Sequence, residues 1–195
     1  MASQRLVGQL GQYFDLAADV RYKHSHIPVR HLVQPDDPEV KELADILYQA
    51  PDFLEASHAF VYSFAQYARE EGDYWRTPHE TLELQAGDCD DLSILLCSIL
   101  RKYIPPEKVY CAVGMWTIHG RREGHMFVLV DGEDGTDRII EATAPPEMPV
   151  QGRYELYAIF NDKYCFSTQA GLKLFDLKPV ERVLEGAGSL DHIHW

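Results

Sequence analysis

Apolar residues change their rhythm about halfway along the chain. Up to Pro105 they recur at helical spacing, and beyond it they come in short runs rich in Val, Ile, Tyr and Phe. Leu6, Leu10, Phe14, Ala17, Ala18 and Tyr22 follow a helical period and predict a helix over 6–22. Asp37 followed by Pro38 pairs an N-cap with a proline at the first helical position. Val40, Leu43, Ala44, Ile46 and Leu47 then mark an amphipathic helix that Pro51 stops. A longer helix is predicted over 52–70, with Phe53, Leu54, Ala56, Phe60, Val61, Phe64 and Tyr67 on its stripe. Thr77-Pro78-His79-Glu80 is a capping box, so a short helix or turn starts there. Ala86-Gly87 breaks the pattern, and Asp88 caps a helix over 89–103. Its Leu92, Leu95, Leu96, Ile99 and Leu100 leave almost no polar position on one side, so it is predicted to be central.

After Pro105-Pro106, residues 108–116, 124–130, 138–143 and 154–160 read as strands, with a Gly- and Asp-rich turn over 132–137. Helices first and an antiparallel meander afterwards define an α+β fold, a helical N-terminal part and a central helix packed on an antiparallel sheet. A chain of 195 residues supports one domain with a real core.

Composition and charge narrow the partners. The balance of 46% hydrophobic and 25% charged residues is that of a soluble globular protein. A net charge of -13 repels phosphate backbones and anionic membranes, so neither nucleic acid nor a lipid surface is an expected partner. The nearest basic patch, Arg121-Arg122, is a single pair. No apolar run approaches the roughly 20 residues of a membrane span. The first residues lack the apolar core of a secretory signal, and the expected location is cytoplasmic. The four cysteines form no CxxC pair; Cys97, Cys111 and Cys165 sit in apolar runs as small buried hydrophobes, and Cys89 does not.

Cys89 falls in the first turn of a buried helix, where the partial positive charge and free N–H groups of the helix start favour a thiolate and can serve an oxyanion. A thiolate needs an imidazole partner, and the imidazole an orienting acceptor. His125 opens the second strand behind Gly124, and Glu141 lies in the third, so a hairpin across 132–137 would set them side by side. His119, in a Thr-Ile-His-Gly-Arg-Arg turn, is the nearest rival base and Asp137 the fallback acid. Trp75 is a cleft wall or oxyanion donor, and Gln85, four residues before the cysteine, a second donor candidate.

Trp75-x-Thr77-Pro78-x-Glu80-Thr81-Leu82, Gly87-Asp88-Cys89-Asp90-Asp91-Leu92, Gly124 to Val130 and Ile140-Glu141-Ala142-Thr143 occur in that order. Together they resemble the bacterial transglutaminase-like cysteine peptidase families of the transglutaminase/papain-like superfamily. The resemblance spans residues 73–143. It implies that Cys89 is the nucleophile, His125 the base and Glu141 the acid; many members carry Asp at the last position and tryptophan where Phe127 stands here. It further implies a single transglutaminase-like domain over 1–195, with a helical lead-in over 1–72, a catalytic core over 73–168 and a C-terminal appendage over 169–195. The implied activity is acyl transfer on an amide, with hydrolysis of a peptide or isopeptide bond favoured and a peptide or protein as substrate. A transglutaminase, a deamidase and a non-catalytic peptide-binding module on the same scaffold are the alternatives.

Asp88, Asp90 and Asp91 complement the dipole of the nucleophile's helix, and Asp88 and Asp91 stand at capping-box spacing. Three carboxylates beside Cys89 also oppose its ionisation. Either His125 as imidazolium or a bound cation must offset them, and hard oxygen ligands suit calcium. Some periplasmic peptidases of the resembled kind bind calcium beside the cysteine. His192-x-His194 beside Asp191 reads as a solvated tail.

Overall fold

A computed structural model describes residues 10–13, 16–21, 27–69, 74–131, 136–174 and 178–179. The α+β arrangement is present. Four helices of the first half, α1 (Pro38–Leu47), α2 (Phe53–Phe64), α3 (Pro78–Leu84) and α4 (Cys89–Arg101), precede the long strands. Shorter strands surround these helices: β1 (Gly11–Tyr13), β2 (Leu16–Ala18), β3 (Ile27–Pro28), β4 (Gln66–Tyr67) and β5 (Ala86–Gly87). The second half supplies β6 (Val109–Ile118), β7 (Arg121–Asp131), β8 (Asp137–Ile140), β9 (Arg153–Phe160), β10 (Cys165–Ser167), α5 (Gln169–Leu174) and β11 (Lys178–Pro179). Six strands form one antiparallel sheet in the order β1-β10-β9-β6-β7-β8.

Helix α4 is the hub, as its apolar pattern requires. Every residue from Asp90 to Arg101 is buried. Leu92, Leu95, Leu96 and Ile99 share one core with Met126, Val128, Val130 and Ile140 of the sheet. A Leu→Ala change at such a position costs about 2–5 kcal/mol. The other face of the sheet has its own cluster of Tyr110, Ala112, Phe127, Leu129, Ile159 and Phe166.

Four expectations need correction. Within the predicted helix over 6–22, the described residues form β1 and β2 instead. Leu16, Ala17 and Ala18 are all buried in succession, which suits a strand covered on both faces and not one stripe of a helix. The helix predicted over 52–70 ends at Phe64, because Gln66 and Tyr67 leave it to pair in parallel with Ala86 and Gly87. This long-range pairing overrides the local periodicity. The strand predicted over 138–143 stops at Ile140, and Glu141 begins a turn closed by Ala144 N–H donating to Glu141 O at 3.1 Å. Finally, the gap left between the strands predicted over 108–116 and 124–130 is mostly strand: β6 and β7 meet at a two-residue turn, His119 and Gly120, with φ +49° and +77°. Both positive angles match the turn whose twist suits a hairpin, and Gly120 takes its angle at no steric cost. Most of the turn expected over 132–137 and the His192-x-His194 tail lie outside the described residues.

Candidate active site

The approach to Cys89 is built by a strand and a cap. β5 pairs with β4 and delivers the chain to Asp88 at the start of α4. A Cβ on Gly87 would stand 2.6 Å from Asp91 Cβ, so only glycine lets Asp91 fold back over the helix start. Cys89 is the first residue of α4 and is partly exposed. β8 pairs β7 only from Val128 onward, which leaves the outer edge of β7 at Met126 to partners other than a strand. That edge faces α4: Ser93 Oγ donates to Met126 O at 3.1 Å, and the Met126 N–H donates to the Cys89 sulfur. Burial pushes the Cys89 thiol well above its ordinary range, Asp90 pushes it further, the Met126 N–H opposes this, and Asp88 and Glu141 add to it.

His125 and Cys89 line one cavity of about 140 Å³ with Trp75, Asp90, Val113 and Gly124. His125 Nε2 lies 2.6 Å from Glu141 Oε2, both side chains nearly buried. With Nε2 engaged there, Nδ1 is the ring nitrogen left for a second partner. Glu141 is held at both oxygens. Oε1 accepts from Thr143 N at 3.2 Å and Thr143 Oγ1 at 2.7 Å, and Oε2 also accepts from the Tyr154 hydroxyl at 2.9 Å. Burial alone would raise the Glu141 carboxyl, but the hydrogen bond and charge of His125 with the Thr143 bonds hold it below its ordinary value. Trp116 packs 4.8 Å from the His125 ring and stacks on Tyr154 at 5.7 Å, while its Nε1 donates to Gln151 O at 2.9 Å.

The structure thus brings Cys89, His125, Glu141 and Trp75 together and leaves other candidates elsewhere. Trp75 is buried, stacked on Phe160, and walls the cavity. Gln85 is exposed in a left-handed C-cap of α3 with φ +52°, where its carbonyl accepts the Gln66 N–H; it does not line the cavity. His119 is exposed at the hairpin turn, and Asp137 pairs with Asp131 at the far end of β8. Tyr154, Trp116 and His58 were not foreseen. Tyr154 only opens a strand and His58 only sits inside a helical stripe, so their roles depend on pairings that periodicity does not carry.

The acidic residues divide. Asp91 is fully buried and committed: it accepts from the Arg76 N–H at 2.7 Å, pairs with the Arg76 guanidinium, and accepts the Asp88 N–H at 3.4 Å. It therefore has little left for a cation, contrary to the grouping of all three aspartates. Asp88 and Asp90 differ. Their carboxylates and the Cys89 sulfur offer ligand atoms within 4.8 Å of one another, and Asp88 Oδ1 is buried with no hydrogen-bond partner among the described residues. The two carboxylates suit a hard, oxygen-seeking divalent cation; the soft sulfur would stand beside it and not among its ligands.

No family model matches the chain, and no curated protein matches its sequence. Solved structures do. Calcium-bound LapG of Legionella pneumophila superposes with a TM-score of 0.51 at 18% identity, covering 67% of this chain and 77% of LapG. EGTA-treated LapG gives 0.51 at 17% identity, over 73% and 84%. The likeness is one of fold: over the matched residues this chain has an α+β fold like that of LapG.

Proposed function

We propose that this protein is a cysteine-nucleophile acyl transferase acting on amides, most readily as a peptide or isopeptide hydrolase. The observation that carries this reading is the shared cavity. It holds a thiol at a helix start and an imidazole whose far nitrogen is 2.6 Å from a buried carboxylate. In the proposed reaction His125 Nδ1 takes the Cys89 proton as sulfur attacks the amide carbonyl carbon. The Cys89 backbone N–H at the start of α4 supports the oxyanion. Collapse breaks the C–N bond, His125 returns its proton to the leaving amine, and an acyl thioester remains on Cys89. Water then attacks the thioester with His125 as base, releasing the acid and restoring the thiol. Glu141 orients the imidazole and stabilises its charged form. The outer edge of β7 around Gly124, which β8 does not pair, stands beside the cavity and suits the docking of an extended peptide.

One feature favours a second reading, a peptide-binding module. Burial and neighbouring acids push the Cys89 thiol up, against nucleophilicity. A cation on Asp88 and Asp90 would supply compensating positive charge at that sulfur. Trace alkylation near neutral pH, with the labelled cysteine mapped, separates the two. We expect Cys89 to label faster than Cys97, Cys111 and Cys165, faster in calcium than in EGTA, and at least about tenfold slower in His125→Ala and Glu141→Ala. Labelling of Cys89 at the rate of an ordinary thiol in both media would favour the binding module.

A further inference from the structure

Glu141 stands just past the last paired residue of β8, Ile140, so no strand ladder fixes its backbone. Its carboxylate tip has Thr143 and Tyr154, but a tip is only as well placed as its main chain. The main chain is held from the other half of the molecule. His58, buried in α2, brings Nε2 to 2.8 Å from Glu141 O and 2.8 Å from Ala144 O. Both partners are carbonyls, which only accept, so Nε2 carries the proton and donates one bond shared between them. The two carbonyls bracket the turn that Ala144 N–H closes onto Glu141 O. One imidazole N–H therefore ties both ends of a four-residue segment to a helix 83 positions earlier in the chain.

We propose that His58 is a positioning residue for the acid: its N–H donated to Glu141 O and Ala144 O sets where the Glu141 carboxylate meets His125. This rests on the Cys89–His125–Glu141 reading and extends it to a second histidine that touches none of the reacting atoms. His58 has no side-chain contact with the cavity that holds Cys89, so its influence must pass through the turn. Such influence is large when a base depends on one short bond, because displacement by a fraction of an ångström weakens both distance and angle.

The test uses three variants of the full chain. His58→Ala removes ring and donor, His58→Phe keeps the volume without the donor, and His58→Gln restores an N–H that can reach a carbonyl. The readouts are the downfield proton resonance of the His125 N–H bonded to Glu141 and the Cys89 alkylation rate. We expect His58→Phe and His58→Ala to shift or broaden that resonance and to slow alkylation about tenfold, with His58→Gln recovering part of both. In a Glu141→Gln background the same changes should slow alkylation less than about twofold, since residues acting through one another are not additive. The proposal is overturned if His58→Phe lowers only the melting temperature and leaves the resonance and the rate unchanged. It is equally overturned if its effect is undiminished in the Glu141→Gln background. Should Cys89 prove unreactive in the unaltered protein, the nucleophile reading fails, and the resonance still decides the role of His58.

Discussion

Helices α3 and α4 begin with the same grammar and put it to different use. At α3, Thr77 caps and Glu80 answers three residues on; at α4, Asp88 and Asp91 hold the same two places. Each answering acid also takes an arginine from outside its helix, Arg21 for Glu80 and Arg76 for Asp91. The surroundings differ. Glu80 remains partly exposed, and its bonds to Arg21 and Thr77 overcome its burial and hold it at about 2. Asp91 is fully buried beneath Gly87, and burial pushes it up to about 6 despite Arg76. One helix start is a stabilising device at the surface. The other is turned inward, at electrostatic cost, so that the first turn can present Cys89 to the sheet. A buried charge pair is weak evidence for stability in itself.

The largest expected contrast is between removing the two acids. Asp91→Ala removes a fully buried carboxylate that accepts from the half-buried Arg76 and from the Asp88 N–H, and should cost about 3–5 kcal/mol in urea unfolding. Glu80→Ala removes a cap and a partly exposed ion pair, and should cost about 1–2 kcal/mol. Equal losses would mean that the inward start is no more demanding than the outward one.

The capping positions should differ in kind. Thr77 Oγ1 accepts the Glu80 N–H at 3.4 Å, so Thr77→Ala should cost about 1 kcal/mol whatever the calcium concentration. Asp88→Asn keeps shape and a cap oxygen, and should cost only about 0.5 kcal/mol in EGTA. Its effect should appear with calcium: a calcium-induced rise in melting temperature present in the unaltered protein and in Thr77→Ala, and lost in Asp88→Asn. A rise that survives Asp88→Asn would remove Asp88 and its unpartnered oxygen from the proposed cation site.

How much of this was legible depends on the range of the interaction. Both capping boxes, Asp37 before Pro38 and the apolar face of α4 are written within a few residues, and all were readable from spacing. Cys89, His125 and Glu141 could be nominated because each stands beside a local signal, a helix start or a strand edge. That a hairpin sets Glu141 near His125 was readable, but its register was not, nor the packing of α4 on β7 that brings Cys89 to them. The division of Asp91 from Asp88 and Asp90 was hidden for the same reason: Arg76 selects Asp91 across a segment whose shape depends on tertiary packing. β2 was misread because a helical period and a doubly covered strand both produce dense apolar residues over short stretches. His58 and Tyr154 carry no local sign of their role, since their partners lie 83 and 13 positions away.

The smallest expected difference is also the one whose sign separates the two starts. Glu80 is held below its ordinary value of 4.5, at about 2, so the unfolded chain binds its proton first as pH falls. Its contribution is present above about 4.5 and is lost as pH drops towards 2. Asp91 is raised from 3.8 to about 6, so between those values the folded state holds a proton that the unfolded state has released. Its contribution to stability must therefore decline as pH rises from about 3.8 to 6, and stay flat above. Urea midpoints measured from pH 2 to pH 7 should rise less steeply at the acid end in Glu80→Gln than in the unaltered protein. In Asp91→Asn, compared with the unaltered protein, the fall between about pH 4 and 6 should vanish. If Asp91→Asn instead flattens a rise with pH over that interval, then Arg76 dominates burial at α4, and the two helix starts are electrostatically alike after all.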